Sequence, residues 1–149
     1  MPYPDLMTAP MRGELTAAGF RELRTAADVD AFMADAKDGS AMVVVNSICG
    51  CAAGCMRPAV VQTLADPKAR PRHMGTVFAG QDIEATDRAR QYFAGHPPSS
   101  PAVALFRDGA LVFMLERHRI QGRHPQMIAD ELAAAMQELT GATARGSSG

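Results

Sequence analysis

Residues 42–55 read MVVVNSICGCAAGC, and this stretch decides the fold. Its first part, Met42–Val45, is an apolar run with no polar alternation, which predicts a strand buried on both faces. The residues after the first two cysteines, Ala52–Ala65, predict a helix. Pro58 inside this helix cannot donate a hydrogen bond to the carbonyl of Gly54, so we expect a kink behind the cysteines. A buried strand that runs directly into a helix indicates an open α/β sheet with reactive groups at the carboxyl end of a central strand.

Outward from this stretch, the predicted elements alternate along the chain. Helices are predicted over Met11–Ala18, from Thr25 to Gly39, and over Ala52–Ala65, Ile83–Ala94 and Pro125–Leu139. Strands are predicted over Phe20–Arg24, Met42–Val45, His73–Ala79, Pro101–Phe106 and Ala110–Leu115. Helical crossovers imply parallel strands in the first half, while Asp108-Gly109 predicts a hairpin that pairs the last two strands antiparallel. The pattern predicts an α/β fold with a mixed central β-sheet flanked by helices, which is the thioredoxin-like arrangement.

The length of 149 residues predicts one compact domain with its own core. A content of 47% hydrophobic and 21% charged residues excludes an intrinsically disordered chain. Residues 1–10 contain three prolines and are predicted to be a loose N-terminal segment. Residues 143–149 are small and polar and are predicted to be a flexible tail, which leaves 11–142 as the thioredoxin-like domain.

The charge balance gives no sign of a nucleic-acid or membrane partner. Fifteen Lys and Arg residues against sixteen Asp and Glu residues leave a formal net charge of −1. The longest apolar run, Ala41–Val45, is far too short to span a bilayer. Because the chain also opens without a charged segment followed by an apolar one, we expect a cytoplasmic protein.

The cysteines are too few, and odd in number, for a disulfide-stapled secreted fold. Cys49 and Cys51 flank Gly50 at the start of the predicted helix, where unpaired amides and the helix dipole favour a thiolate although no lysine or arginine is adjacent. A disulfide between Cys49 and Cys51 requires the backbone to turn, which Gly50 permits. Such a small, strained ring opens readily, and this lability suits thiol–disulfide exchange.

The third cysteine, Cys55, lies one helical turn after Cys51 and leaves several interpretations open. The favoured one is a small apolar side chain that packs beneath the site, and the others are an auxiliary resolving thiol and a metal ligand. The three cysteines would need a fourth metal ligand from one of the histidines His73, His96, His118 and His124. Because two cysteines separated by one residue fit a tetrahedral metal site poorly, we expect no metal.

The segment Val43–Gly54, followed by Arg57-Pro58-Ala59, closely resembles the signature of the bacilliredoxin family. Further matches are found at Gly19–Thr25, at Pro98–Pro101, and at Arg117-His118 with Ile120 and Gly122. The resemblance extends over about residues 11–140 of the sequence.

This resemblance implies a thioredoxin-like fold in which Pro101 follows a cis peptide bond after Ser100 and faces the cysteines. It also implies a thiol–disulfide oxidoreductase that removes bacillithiol, or another low-molecular-weight thiol, from mixed disulfides on client proteins. Cys49 matches the attacking cysteine and Cys51 the resolving one. Gly50, Ser100 and Pro101 are the expected positioning residues, and the small thiol acts as co-substrate with no further cofactor.

Three alternatives to this function stay open at the level of sequence. The first is a disulfide isomerase or reductase that acts directly on proteins, the second a non-catalytic thioredoxin-like binding module, and the third a Cys-ligated metal protein. Typical family members are expected to have a residue other than cysteine at the position of Cys55. The extra thiol of this chain could therefore form an additional disulfide state.

Overall fold

A computed structural model describes residues 3–148, with side chains described as far as Leu139. The strands are β1 (Arg21–Glu22), β2 (Ser40–Asn46), β3 (His73–Phe78), β4 (Ala102–Arg107) and β5 (Ala110–Leu115). The α-helices are α1 (Asp5–Thr16), α2 (Ala26–Asp35), α3 (Arg57–Leu64), α4 (Ile83–Gln91) and α5 (Pro125–Ser148). A π-helical turn over Ala52–Met56 precedes α3, and 3₁₀ turns occupy Pro67–Ala69 and Arg117–Arg119.

The strands form one mixed sheet in the order β1-β3-β2-β4-β5. Strands β1 and β2 run parallel to β3, whereas β4 runs antiparallel to β2 and pairs with β5 through the predicted hairpin. At the hairpin, Asp108 and Gly109 have φ angles of 51° and 85°, the left-handed geometry of a tight two-residue turn. The predicted α/β fold with a mixed central sheet is confirmed.

The central strand β2 is buried on both faces, as its unbroken apolar sequence predicts. Because side chains alternate along a strand, Met42 and Val44 belong to one core cluster and Val43 and Val45 to the other. The first cluster is completed mainly by α1, α3 and α5, and the second by α2 and α4. Helices on both faces of the sheet therefore pack against β2. The segment that carries Cys49 begins at the carboxyl end of this well-packed strand.

A capping box fixes the start of α2 at Thr25. The Thr25 hydroxyl accepts a hydrogen bond from the Asp28 amide at 3.0 Å, and the Asp28 carboxylate accepts one from the Thr25 amide at 3.2 Å. This exchange satisfies amides that the first helical turn leaves unpaired.

Both chain ends differ from the prediction. Helix α1 begins at Asp5 and contains Pro10, so the expectation of a loose segment up to residue 10 is wrong from Asp5 onward. Helix α5 continues past its predicted end at Leu139 to Ser148, so most of the predicted tail, residues 143–149, is helical. Met1, Pro2 and Gly149 lie outside the described residues.

Candidate active site

Cys49 lies in the bend between β2 and the helical segment that follows it. The amides of Ala52 and Ala53 both donate to the Cys49 carbonyl at 3.1 Å, which starts the helical hydrogen bonding at this residue. The predicted placement of the cysteine pair at a strand-to-helix junction is therefore confirmed.

The Cys49 sulfur is surrounded by hydrogen-bond donors. The Ser47 hydroxyl donates to Sγ at 3.0 Å, and this hydroxyl in turn accepts from the Cys49 amide at 3.3 Å. Partial burial acts to raise the pKa of the Cys49 thiol. The opposing effect is larger and comes from hydrogen bonds of the Ser47 hydroxyl, the amides of Ala52 and Cys51, and the Cys51 thiol. The pKa of Cys49 therefore lies below its ordinary value. Hydrogen bonding to the thiolate is thus the physical cause of its stabilisation at this site.

The Cys51 thiol is one of the groups that lower the pKa of the Cys49 thiol. Both are free and half-buried, as is Cys55. Gly50 between the pair has no positive φ, and a Cβ built on it would meet no heavy atom within 4 Å. The backbone conformation at Gly50 therefore does not require glycine in this structure, and the missing side chain leaves the approach to the two sulfurs open.

A buried arginine supports the loop that carries Cys49. Arg57 is only 2% exposed, and its Nη1 donates at 2.8 Å both to Oδ1 of Asn46 and to the carbonyl of Ser47. Its Nε donates to Glu14 at 3.0 Å, which pairs the buried charge with a carboxylate of α1. The same Asn46 oxygen also accepts from the Ser47 amide at 2.9 Å. This network fixes the end of β2 directly before the segment that carries Cys49.

The helix behind the cysteines opens with a wide turn. Residues Ala52–Met56 are π-helical, and the Arg57 amide donates to the Ala52 carbonyl, five residues back. Pro58 stands in the first turn of the α-helix that follows, where a missing amide donor is tolerated. The predicted irregularity at Pro58 therefore takes the form of a π-helical turn, a feature common at functional sites.

Cys55 lies in this wide turn and packs against the larger core cluster. This contact agrees with the interpretation of Cys55 as a packing residue. Its part in redox chemistry stays a prediction that the structure does not test.

The Ser100–Pro101 peptide bond is cis, as the family resemblance implies. Pro101 is buried and directly precedes Ala102, which pairs with Val45 of β2. This register brings the cis-proline segment alongside the end of β2 from which the cysteine loop departs.

An open cleft of about 320 Å³ lies beside Cys49. Its described lining consists of Tyr3, Ser47, Ile48, Cys49, Ala79, Gly80, Gln81, Arg90, Ser100 and Arg117. The structure thus brings two of the predicted site residues, Cys49 and Ser100, to one surface, whereas Cys51, Cys55 and Pro101 do not line this cleft.

Sequence reasoning missed several residues around the cysteines. Ser47 and Asn46 stand next to the predicted site and carry polar side chains at the end of a buried strand, which was the available signal. Arg57 gives no such signal because a single arginine in a helix is most often exposed. Arg90 and Arg117 come from distant parts of the chain, so only the fold brings them to Cys49.

The described residues contain neither a metal-binding cluster nor a membrane-spanning helix. Among them, no group of three or more His, Cys, Asp or Glu side chains is positioned to hold a metal ion. Within the same residues, no helix combines the length and apolar character needed to cross a membrane.

Solved structures of thioredoxins share this fold. Thioredoxin from Fasciola hepatica is 18% identical, with a TM-score of 0.53, and the match covers 80% of this chain and 99% of that one. Oxidised thioredoxin O2 from Arabidopsis thaliana is 14% identical, with a TM-score of 0.54, and the match covers 83% and 96% of the two chains. These two likenesses establish the thioredoxin-like fold, in which the cysteine pair of this chain follows the central strand β2.

Sequence relatives identify the family to which the chain belongs. Residues 3–140 match a family model described as "Disulphide isomerase". A bacilliredoxin from Cytophaga hutchinsonii is 53% identical over 92% of this chain and 99% of its own. A bacilliredoxin from Salinibacter ruber is 51% identical over 95% of this chain and 83% of its own. The chain belongs to the bacilliredoxin family, as its Cys-Gly-Cys segment predicts, and it is a thiol–disulfide oxidoreductase.

Proposed function

We propose that this protein reduces mixed disulfides between client proteins and a low-molecular-weight thiol such as bacillithiol. The observation that carries this proposal is a hydrogen-bonded Cys49 sulfur beside an open cleft, two residues before the Cys51 thiol, which lowers the pKa of Cys49. The bacilliredoxin names of the relatives support the same substrate class.

In the first step, the Cys49 thiolate attacks the small-thiol sulfur of the mixed disulfide. A Cys49–small thiol disulfide forms, and the client leaves as a thiolate that takes a proton from solvent. The donors around Cys49 favour this step because they raise the fraction of thiolate near neutral pH.

In the second step, the adduct on Cys49 is resolved. The Cys51 thiolate attacks Sγ of Cys49, which forms a Cys49–Cys51 disulfide and releases the small thiol. Alternatively, a second molecule of small thiol attacks the adduct, restoring Cys49 and leaving as the symmetric small-thiol disulfide. In the first route, the mixed disulfide takes up two electrons and becomes two thiols, while Cys49 and Cys51 are oxidised to one disulfide. In the second route, the number of disulfides is unchanged, because the mixed disulfide and one small thiol become the client thiol and the symmetric small-thiol disulfide. Two further small thiols can reduce the Cys49–Cys51 pair by the same exchange.

The residues around the cysteines position the reaction in this proposal. Ser47 and the helical amides hold the thiolate, and Arg57 holds the loop through Asn46 and the Ser47 carbonyl. The incoming disulfide lies against Ser100 and Pro101, which directly precede β4. Gly50 has no side chain that could block access to the sulfurs of Cys49 and Cys51.

A disulfide isomerase that acts directly on proteins is the second candidate function. The description of the matching family model favours it, and its chemistry passes through the same kind of mixed disulfide. The two functions differ in their substrate. Reduction of mixed disulfides needs a small thiol bound to the client protein, whereas the isomerase acts on disulfides within a protein.

One experiment separates the candidates. A single-cysteine client protein carrying bacillithiol, and the same client carrying glutathione, are incubated with the reduced protein, and the client mass is followed with time. Reactivation of a scrambled multi-disulfide protein is measured in parallel without small thiol. The proposal predicts release of the small thiol and little reactivation, whereas reactivation without release would support the isomerase.

Two variants and an elemental analysis complete this design. The double variant Cys49→Ala/Cys51→Ala is the negative control, and retention of client dethiolation by it would overturn the proposal. Stoichiometric zinc or iron in protein purified under reducing conditions would favour the metal-site alternative. The cytoplasmic location stays a prediction.

A further inference from the structure

The cleft beside Cys49 carries an unbalanced positive charge. Arg90 and Arg117 both line it, and none of its described lining residues is an Asp or a Glu. Because the cleft also contains the reactive sulfur, this charge lies where the small-thiol part of a mixed disulfide must bind.

Most other arginines of the described chain are already paired with carboxylates. Ion pairs to Asp or Glu engage Arg12, Arg21, Arg24, Arg57, Arg72, Arg88, Arg119 and Arg123. Within the described residues, neither Arg90 nor Arg117 takes part in such a pair. The two cleft arginines, like Arg70 and Arg107, are therefore exceptions to the ion pairing found for most arginines of the described chain.

Arg90 carries a further sign that a partner is missing. Its side chain is half-buried, and its Nε is buried without a hydrogen-bond partner among the described residues. A buried donor without a partner costs free energy, and a bound anionic group that accepts a hydrogen bond from it offsets that cost.

Arg117 is connected to the cis-proline segment. Its amide donates to the Ser99 hydroxyl at 2.7 Å, and its Nη1 lies 3.4 Å from the Ser100 carbonyl. These contacts hold the guanidinium at the cleft edge while most of its donors stay free for a ligand.

We propose that Arg90 and Arg117 form an anion subsite that binds a carboxylate of the low-molecular-weight thiol in the mixed disulfide. This inference rests on the proposed function and specifies its substrate class as carboxylate-bearing thiols. A guanidinium offers two parallel donors to a carboxylate, which fixes orientation as well as position. With its carboxylate held in the cleft, the small thiol presents its own sulfur to Cys49, and the client sulfur becomes the leaving group. The subsite therefore determines which of the two sulfurs is attacked.

The test uses two isosteric small thiols that differ in charge. A single-cysteine client is thiolated with 3-mercaptopropionate or with its neutral amide, 3-mercaptopropionamide. The second-order rate constant for release of each thiol is measured for the full chain, for Arg90→Gln, Arg90→Lys and Arg117→Gln, and for the control Arg107→Gln. Arg107 lies at the opposite end of the sheet, paired with Ser40.

The reported quantity is the ratio of the anionic to the neutral rate constant. This ratio cancels any effect of a substitution on the folding of the protein or on the reactivity of Cys49. We expect the ratio to fall by about tenfold in Arg90→Gln and in Arg117→Gln, as for the loss of one charge-assisted hydrogen bond. Arg90→Lys retains part of the preference, and Arg107→Gln has the ratio of the unmodified protein.

The outcomes separate this inference from the proposed function. If the unmodified protein releases neither thiol, the proposed function fails. If it releases both and the ratio is the same in every variant, the anion subsite is overturned while the dethiolation activity stands. An equal fall of the ratio in Arg107→Gln would show an effect of net charge and would also overturn the subsite.

Discussion

The Ser47 hydroxyl donates a hydrogen bond to the Cys49 sulfur at 3.0 Å. Only one residue separates the two, and the same hydroxyl accepts from the Cys49 amide, so the serine and the cysteine form a closed local unit. Arg57 holds the carbonyl of this serine from the core side. The protonation state of the reactive thiol is therefore linked to a buried polar network.

Replacing Ser47 by alanine should raise the pKa of Cys49. The hydroxyl stabilises the thiolate, so its loss favours the thiol and moves the ionisation of Cys49 to higher pH. The rate of alkylation by iodoacetamide, measured against pH on a Cys51→Ala/Cys55→Ala background, reports this ionisation. Near neutral pH, Ser47→Ala should react more slowly, and the two rates should converge at high pH. Ser40→Ala, at the other end of β2, is the matched control, and an unchanged profile in Ser47→Ala would contradict the assignment.

Replacing Arg57 by methionine should destabilise the protein by about 1–3 kcal/mol, because Oδ1 of Asn46 and the Ser47 carbonyl lose a buried charged donor. Urea unfolding under reducing conditions measures this change. Arg72→Met is the control, since the pair of Arg72 with Asp38 has side chains that are 66% and 69% exposed and should contribute only about 0–1 kcal/mol. Equal effects of the two substitutions would show that the buried network does not stabilise the fold.

Gly75 is expected to tolerate no side chain. A Cβ at this position in β3 would lie 2.9 Å from Cε1 of Phe32 and 3.0 Å from Cδ1 of Leu23. Gly75→Ala should therefore cost about 1–3 kcal/mol through overpacking. Gly13→Ala in α1, where a Cβ meets nothing within 4 Å, should instead stabilise the protein by about 0.5–1 kcal/mol. Thermal unfolding of both variants tests this, and a neutral Gly75→Ala would show that the two neighbours move aside.

Replacing Cys55 by alanine should leave the dethiolation rate within about twofold, because its side chain packs against the core and does not line the cleft. A small loss of stability from the smaller side chain is expected instead. The measurement is the release of small thiol from a thiolated client over many turnovers. A large fall in the turnover rate, with the first turnover preserved, would assign a resolving role to Cys55.

Local signals in the sequence account for most of the fold. The helix start at Thr25, the apolar run of β2 and the Asp108-Gly109 turn each depend on a few neighbouring residues, and each was found where it was predicted. The start of α1 was missed because Pro10 is unfavourable inside a helix. Packing of the buried Thr8 and Leu15 on the rest of the protein outweighs that local cost.

The candidate site also combines residues that the sequence indicates with residues that only the fold brings together. The cysteine pair is a contiguous motif that the sequence shows directly, whereas the cis bond before Pro101 was expected from the resemblance to the bacilliredoxin family. Arg57, Arg90 and Arg117 act through contacts that the fold makes between distant residues, and charged side chains carry no periodic signal of such contacts. Identifying them required the structure.

The assignment of Cys49 as the attacking thiol and Cys51 as the resolving thiol is tested most directly by intact-mass analysis of single-cysteine exchanges. Cys51→Ala and Cys49→Ala, both on the Cys55→Ala background, are each mixed with a client that carries a disulfide-bound small thiol. We predict that the protein with Cys51→Ala releases the client and gains the mass of one small thiol on Cys49, while the protein with Cys49→Ala leaves the client unchanged. Release of the client and adduct formation by the Cys49→Ala protein, with none by the Cys51→Ala protein, would contradict the account.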